Sequence, residues 1–84
     1  MYELLLARQA ERDLRKLPAE IFQRIIRQLR SLSQAPRPPG CRKLTDSGGD
    51  YRIRVGEYRI LYEIDDEKRQ IKILRVGHRR EVYR

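Results

Sequence analysis

Hydrophobic residues change their spacing twice along the chain, and these changes predict a β-α-α-β-β-β order of elements. The apolar run from Tyr2 to Leu6 is short and typical of a buried first strand. From residue 8 to residue 33, apolar residues recur every three or four positions, which indicates two amphipathic helices with Pro18 as the first residue of the second. Alternating patterns over Tyr51–Glu63 and Gln70–Gly77 predict three further strands.

This order predicts an α+β fold for a single domain over residues 1–84. The helical hairpin is expected to pack on one face of a mostly antiparallel four-stranded sheet and to leave the other face partly open. Alternation in the last strand is broken at Arg75, which indicates either a β-bulge or an edge position. The proline-rich residues 35–40 end the second helix and form a connection, not a linker between domains.

The stretch Tyr51–Glu63 predicts a β-hairpin whose two loop residues are Gly56 and Glu57. The expected pairs are Val55 with Tyr58, Arg54 with Arg59, Ile53 with Ile60, Arg52 with Leu61, and Tyr51 with Tyr62. One face is then aliphatic and aromatic, and we interpret its tyrosines as packing residues. The other face brings three arginines together, because opposed Cβ atoms lie about 5 Å apart. Opposed like charges destabilise a sheet, so we interpret these arginines as an anion site for phosphate.

Charge supports a polyanionic partner. The 84 residues include twenty Lys or Arg and twelve Asp or Glu, and the net charge is +8. Three helical arginines, Arg24, Arg27 and Arg30, are interpreted as a solvated helix face in preference to a second nucleic-acid surface. The single cysteine, Cys41, allows neither an internal disulfide nor a thiolate metal cluster. The first apolar run is too short for a signal peptide or a membrane span, so we expect a cytoplasmic protein.

The tail after Gly77 concentrates groups that could serve phosphodiester chemistry. It carries an imidazole, a phenol and several guanidinium groups, on His78, Arg79, Arg80 and Tyr83. The only histidine has no second His or Cys at metal-ligand spacing, and no glycine-rich phosphate loop is present, so we expect neither a metal nor a cofactor. His78 could act as an acid or base, since its unperturbed pKa lies near working pH, or could be a strand-end histidine without a catalytic task.

Two motifs together resemble the RelE branch of the RelE/ParE toxin superfamily, the toxic halves of bacterial toxin–antitoxin pairs. One is the hairpin pattern over Tyr51–Glu63, and the other is Val-Gly-His-Arg-Arg-Glu-Val-Tyr over residues 76–83. The resemblance covers nearly the whole chain, including the Leu-rich first strand and the helical hairpin. It implies a ribosome-dependent endoribonuclease that cuts mRNA in the decoding site, inhibits translation and is neutralised by a cognate antitoxin.

The resemblance also assigns roles to residues. The family's two basic strand positions fall on Arg52 and Arg54, its next strand arginine on Arg59, and its late arginine and tyrosine on Arg79 and Tyr83. These residues, with Arg80 as a further RNA contact, would support a metal-independent attack of the mRNA 2′-hydroxyl on the adjacent phosphate. The family often has Lys where this chain has Arg52 and Arg54. Since Arg effectively cannot lose a proton, the two either only hold phosphate or leave proton abstraction to another group, such as His78 or Tyr83.

Two other functions are compatible with the same fold. A ParE-like protein would inhibit DNA gyrase without catalysis, and a basic accessory domain would only bind RNA or DNA. If the protein is the endoribonuclease, its expected partners are the ribosome, mRNA and an antitoxin. The antitoxin is expected to contribute an acidic, amphipathic segment, because a small basic domain with an open anion site is masked best by negative charge. No membrane partner is expected.

Overall fold

The computed structural model describes residues 1–44 and 49–82, and the elements follow the predicted order with two short additions. In chain order they are β1 (Glu3–Leu6), α1 (Arg8–Arg15), α2 (Ala19–Gln34), β2 (Arg42–Lys43), β3 (Asp50–Val55), β4 (Tyr58–Asp65), β5 (Gln70–His78) and α3 (Arg79–Val82). The helical hairpin is confirmed, but Pro18 lies one residue before α2 rather than in it. Its carbonyl accepts the first helical hydrogen bond, from Phe22 N–H at 2.8 Å.

The sheet has five strands in the order β1-β5-β4-β3-β2. Strand β1 runs parallel to β5, and the other neighbours are antiparallel. The α+β class is therefore confirmed, while the predicted count of four strands was one too low. The additional strand β2 has only two residues and follows a proline-rich loop, so it is too short to produce an alternating pattern.

Both long helices pack on one face of the sheet. Their contribution to the core is Ala10 and Leu14 from α1 with Ile25, Leu29 and Leu32 from α2. The sheet contributes Ile53, Ile60, Tyr62, Ile71, Ile73 and Val76. In α2 the core residues recur at the three- and four-residue spacing expected for an amphipathic helix. In the hairpin, Ile53, Ile60 and Tyr62 lie on the face expected to be aliphatic and aromatic. Phe22, beside the stripe, stays 37% exposed.

A β-bulge explains the broken alternation in β5. Leu61 pairs with Arg75, whereas the next residue of β4, Tyr62, pairs with Ile73, so Leu74 is an extra residue. Strand β5 lies between β1 and β4 as far as Ile73, and from Leu74 onward no described strand pairs with it on the β1 side, so Arg75 lies both at a bulge and on a locally open edge. The extra residue reverses the side-chain alternation, so that residues after the bulge face opposite to the direction expected from the residues before it.

Asp13 of α1 fixes the strand just after this bulge. Strand β1 pairs with β5 only as far as Ile73, and α1 follows it along the same side. The Asp13 carboxylate accepts hydrogen bonds from Val76 N–H at 2.9 Å and from Arg75 Nε at 2.8 Å. It therefore replaces a neighbouring strand as the partner of the Val76 N–H. Burial alone would raise the pKa of Asp13, but the bonds from Arg75, Val76 and Gln9 outweigh it and the pKa is lowered.

Candidate functional site

The hairpin forms with the predicted register. All five expected pairs are present, and Arg54 lies directly opposite Arg59. Gly56 opens the two-residue loop with φ +61°, in the left-handed region that favours glycine and that two-residue hairpin loops require. The loop therefore sets the register that places the three arginines on the sheet face opposite the helices.

A groove of about 640 Å³ joins these arginines to the edge of the sheet. Its walls come from α2, the proline-rich loop, β2, β3 and β4, and its lining residues are Gln28, Ser31, Pro38, Pro39, Gly40, Arg42, Arg52, Ile53, Arg54 and Arg59. Among the described lining residues, four are arginines and none is a carboxylate. We call this cavity the arginine groove. Its chemistry suits a polyanion that brings its own negative charge.

The arginine groove contains one residue that sequence reasoning missed. Arg42 of β2 pairs directly with Arg52 of β3 and lines the cavity beside it. The sequence feature that could have identified Arg42 is its position, as a basic residue just after the proline-rich loop. Because β2 is only two residues long, no periodicity identified Arg42 as a neighbour of the hairpin.

Arg59 and Arg54 differ in how they are held. Arg59 is only 7% exposed, and its Nη1 donates to the carbonyl oxygens of Gly56 at 3.5 Å and Tyr58 at 3.3 Å. Both acceptors are backbone carbonyl oxygens, which hold the guanidinium in place. Arg54 is exposed and has no hydrogen-bond or ion-pair partner among the described residues. Arg54 is thus free to reach a ligand, while Arg59 provides fixed positive charge behind it.

Arg79 lies at the hairpin loop, outside the lining of the arginine groove. Its N–H donates to Glu57 O at 2.9 Å, and its Nε lies 3.5 Å from Glu57 Oε2. Both side chains are more than half exposed, so this ion pair is worth about 1 kcal/mol or less and can open for a phosphate. Arg80 is exposed on the next position, and its N–H donates to His78 Nδ1 at 3.3 Å.

His78 does not join the arginines. It lies directly opposite Tyr58, with the two rings edge to face at a centroid distance of 5.8 Å. Both residues line a recess of about 190 Å³ against α1, on the helix-covered side of the sheet. The structure therefore separates His78, considered above as a possible acid or base, from the arginines of the hairpin, because the bulge reverses the alternation before His78. Tyr83 lies outside the described residues.

Two tyrosines of the hairpin hold one wall of the arginine groove. Tyr62 is fully buried, stacks on Tyr51 at a centroid distance of 5.8 Å and donates its hydroxyl to Pro36 O at 2.8 Å. Burial raises the pKa of the Tyr62 phenol, so it stays a neutral donor. Arg37 lies over the Tyr51 ring at 5.3 Å and pairs with Asp66 at 2.9 Å. These contacts fix the proline-rich loop on the sheet, in agreement with the interpretation of the tyrosines as packing residues.

Tyr62→Phe is expected to lower the free energy of unfolding by about 1 kcal/mol, because it removes one buried hydrogen bond and leaves the Pro36 carbonyl without that donor. Urea unfolding of the two proteins measures the difference. Tyr51→Phe serves as the matched control, since its hydroxyl accepts a longer bond, 3.1 Å from the exposed Arg37. Equal losses in both variants would contradict the proposed role of the Pro36 contact.

Gly56→Ala is expected to destabilise the protein by about 1 kcal/mol, because alanine tolerates the left-handed conformation poorly. A Cβ at this position would also lie 3.4 Å from Arg24 Nη2. Gly56→Asn separates the two causes, since asparagine adds the same Cβ but adopts positive φ more readily. Thermal unfolding should then rank glycine, asparagine and alanine in that order. If asparagine costs as much as alanine, the contact with Arg24 is the cause and the backbone argument fails.

Charge divides the outer face of the hairpin into two ends. Near the loop it carries Arg54 opposite Arg59, and at the far end Asp50 pairs with Glu63. The far end also borders a cavity of about 440 Å³ whose lining includes Asp65, Asp66 and Glu67. A polyanion is therefore attracted at the loop end and repelled at the other. In the described ranges, 1–44 and 49–82, no group of three or more His, Cys, Asp or Glu is arranged as metal ligands.

Sequence comparison matches almost the whole chain to one family model and to one curated relative. Residues 4–83 match the family model described as the ParE toxin of the type II toxin–antitoxin system parDE. Toxin RelG of Mycobacterium tuberculosis is 38% identical over 84 residues, which cover 99% of this chain and 97% of that protein. The chain belongs to the ParE toxin family, and the resemblance to the RelE/ParE superfamily is confirmed.

Solved structures agree with this assignment. The toxin–antitoxin complex RelBE2 of M. tuberculosis contains a chain with a TM-score of 0.83 and 38% identity, and the match covers 93% of this chain and 98% of that one. The intact RelBE complex of E. coli gives a TM-score of 0.82 at 26% identity, covering 93% and 96% of the two chains. No helix in the described part of the chain combines the length and apolar character needed to cross a membrane.

Proposed function

We propose that this toxin is a ribosome-dependent endoribonuclease that cleaves mRNA and thereby inhibits translation. The observation that carries the proposal is the arginine groove, a cavity lined by Arg42, Arg52, Arg54 and Arg59. Such a surface is costly for folding and useful for holding phosphate groups. The likeness to RelE structures at 26% identity and more supports the same function.

The proposed reaction is attack of the mRNA 2′-hydroxyl on the adjacent phosphorus. The 2′-oxygen forms a bond to phosphorus while the 5′-oxygen leaves, and extra negative charge develops on the phosphoryl oxygens. Arg54 and Arg52 would hold the scissile phosphate, and the buried Arg59 would stabilise the developing charge from below. Arg79, released from Glu57, would stabilise the leaving oxygen, and Arg80 would contact a neighbouring phosphate.

Proton transfer needs a group other than these arginines, because a guanidinium does not act as a base near neutral pH. His78 faces α1 together with Tyr58, away from the arginine groove. Within this chain we therefore assign proton transfer or base stacking to Tyr83, as the resemblance implies. Positioning and charge stabilisation by the arginines supply the rest of the rate enhancement.

Purified toxin and ribosomes programmed with a defined mRNA test the proposal. We expect new 5′ ends within the codon at the decoding site, and none on the same mRNA without ribosomes. A magnesium-free control is unsuitable, since ribosomes need the ion, so the matched control is ribosomes with an empty decoding site. If no cut depends on translation, the nuclease proposal fails.

A cognate antitoxin is the second proposed partner. The toxin's relatives in M. tuberculosis and E. coli have structures described as toxin–antitoxin complexes, and this chain carries a net charge of +8. An acidic, amphipathic segment could cover the arginine groove and fold as it binds. Co-expression with the neighbouring reading frame should give a co-purifying pair without cleavage activity. Recovery of the toxin alone, still active, would contradict the proposal.

The ParE family match favours one alternative, a toxin that inhibits DNA gyrase without catalysis. A gyrase supercoiling assay with purified toxin distinguishes the two functions. Inhibition of supercoiling that persists in Arg54→Ala, without any mRNA cut, would support the gyrase function. Ribosome-dependent cleavage without gyrase inhibition would support the nuclease.

A further inference from the structure

A second basic recess continues the arginine groove along α2. It has a volume of about 240 Å³ and is lined by Arg24, Arg27, Gln28, Ser31 and Val55. Gln28 and Ser31 also line the arginine groove, so the two cavities meet at these residues. We call the second cavity the α2 recess. Together the two cavities run from the hairpin face that carries Arg54, across the edge of β3, to α2.

Arg24 and Arg27 bring uncompensated positive charge to the α2 recess. Neither side chain has a hydrogen-bond or ion-pair partner among the described residues, and the three ion pairs found there involve Arg37, Arg75 and Arg79. Arg24 lies against the hairpin loop, with Nη2 3.4 Å from the point where a Cβ of Gly56 would be. This guanidinium is therefore held at van der Waals distance from the hairpin loop, beside the groove.

Both the strand order and the charge pattern favour a path for a polyanion from the arginine groove to the α2 recess. Strand β2 pairs with β3 only at Tyr51 and Arg52, so no described strand covers the edge of β3 from Ile53 to Val55. In the other direction along the hairpin, Asp50 lies opposite Glu63 and repels phosphate. A chain of phosphates held at Arg54 is thus favoured to leave over the β3 edge, toward α2.

We propose that Arg24 and Arg27 form a second phosphate subsite that binds the backbone of the same single-stranded RNA where it leaves the arginine groove. The inference rests on the proposed nuclease function and adds the direction of the RNA across the molecule. Guanidinium groups bind phosphate through paired hydrogen bonds, and sequence-independent RNA binding uses basic grooves of this kind. Arg24 and Arg27 are therefore reinterpreted as RNA-binding residues, not as part of a solvated helix face. Arg30 lines neither cavity and remains a solvated residue.

Length-dependent RNA binding tests the subsite. The probes are 2′-O-methyl RNAs of three and nine nucleotides, which lack the attacking hydroxyl, and fluorescence anisotropy gives their affinities. The test variant is Arg24→Ala with Arg27→Ala, and the matched control is Arg12→Ala with Arg15→Ala, which removes the same charge from exposed positions of α1. Thermal unfolding of each variant verifies that the fold is retained.

We expect the test variant to lose about 10-fold in affinity for the nonamer and to bind the trimer as the wild type does. For this variant we plot the logarithm of the nonamer binding constant against the logarithm of the salt concentration. The slope should be shallower than that of the wild type by about 1.4, since two phosphate contacts on a single strand are lost. The control should change both affinities equally and slightly.

The proposal is overturned if the test variant and the control lose equal affinity for the nonamer. It is also overturned if the wild type gains nothing from the longer probe or binds neither probe. None of these results decides the nuclease function, which depends on the ribosome cleavage assay. Conversely, a length-dependent loss in the test variant together with no ribosomal cleavage would retain the RNA path and reject the nuclease.

Discussion

Arg54→Ala is expected to lower the rate of the proposed ribosome-dependent mRNA cleavage on the order of 100-fold, the loss typical of removing one donor to a developing oxyanion. The effect should be large because Arg54 is exposed, lines the arginine groove and has no competing partner among the described residues. Folding should be retained or slightly improved, since the variant removes a like charge directly opposite Arg59. Single-turnover cleavage on programmed ribosomes measures the rate.

Two further variants define what Arg54 contributes. Arg54→Lys keeps the charge but not the two-pronged hydrogen-bonding geometry, so we expect an intermediate loss of about 10-fold. Arg15→Ala removes one exposed charge from α1 and should leave the rate within about twofold. If Arg54→Ala cleaves as fast as Arg15→Ala, the arginine groove is not the active site. Arg59 is a less suitable target, because its burial links any loss of activity to a loss of stability.

Asp13→Ala is expected to lower the free energy of unfolding by about 3 kcal/mol. The change leaves the buried Val76 N–H without an acceptor and removes the partner of the partly buried Arg75. Urea unfolding measures the difference, with Glu11→Ala, an exposed carboxylate on the same helix, as the control expected to change stability by about 0.5 kcal/mol or less. A loss no larger than that of the control would show that the Asp13 contacts do not stabilise the fold.

The contribution of Asp13 should also depend on pH. Its pKa is lowered in the folded protein, so the unfolded chain binds its proton first as pH falls. The stabilisation is then fully present above the unfolded pKa of about 4 and is lost as pH falls through the folded pKa. The difference in unfolding free energy between wild type and Asp13→Asn should be constant from about pH 7 to pH 5 and shrink below about pH 4. A difference that grows on acidification would contradict this assignment.

The hairpin could be predicted from the sequence because its information is local. Alternation fixes which residues share a face, and the two-residue loop at Gly56 fixes the register, so the opposition of Arg54 and Arg59 followed directly. Pairings between distant segments carried no such signal. The parallel contact of β1 with β5 and the two-residue β2, which brings Arg42 beside Arg52, depend on how the chain returns after the helices.

The placement of the tail could be predicted only in part. The disturbed alternation at Arg75 was visible in the sequence, but it did not distinguish a bulge from an edge position. Asp13, which lies 63 residues away from Val76 in the chain, binds the Val76 N–H where β1 no longer pairs with β5. Contacts across such a separation arise from packing of α1 on the sheet, which periodicity does not describe. The side of the sheet that His78 faces therefore did not follow from the sequence.

The extra residue Leu74 determines which side of the sheet the residues after it face. With it, Val76 and His78 share the helix-facing side of β5, and Gly77 lies opposite Arg59. A homologue one residue shorter between Ile73 and Val76 would exchange these directions and place an imidazole on the face that carries Arg54. Strand length at this point therefore couples the position of His78 to the core, because a shorter strand would turn the buried Val76 outward together with the imidazole.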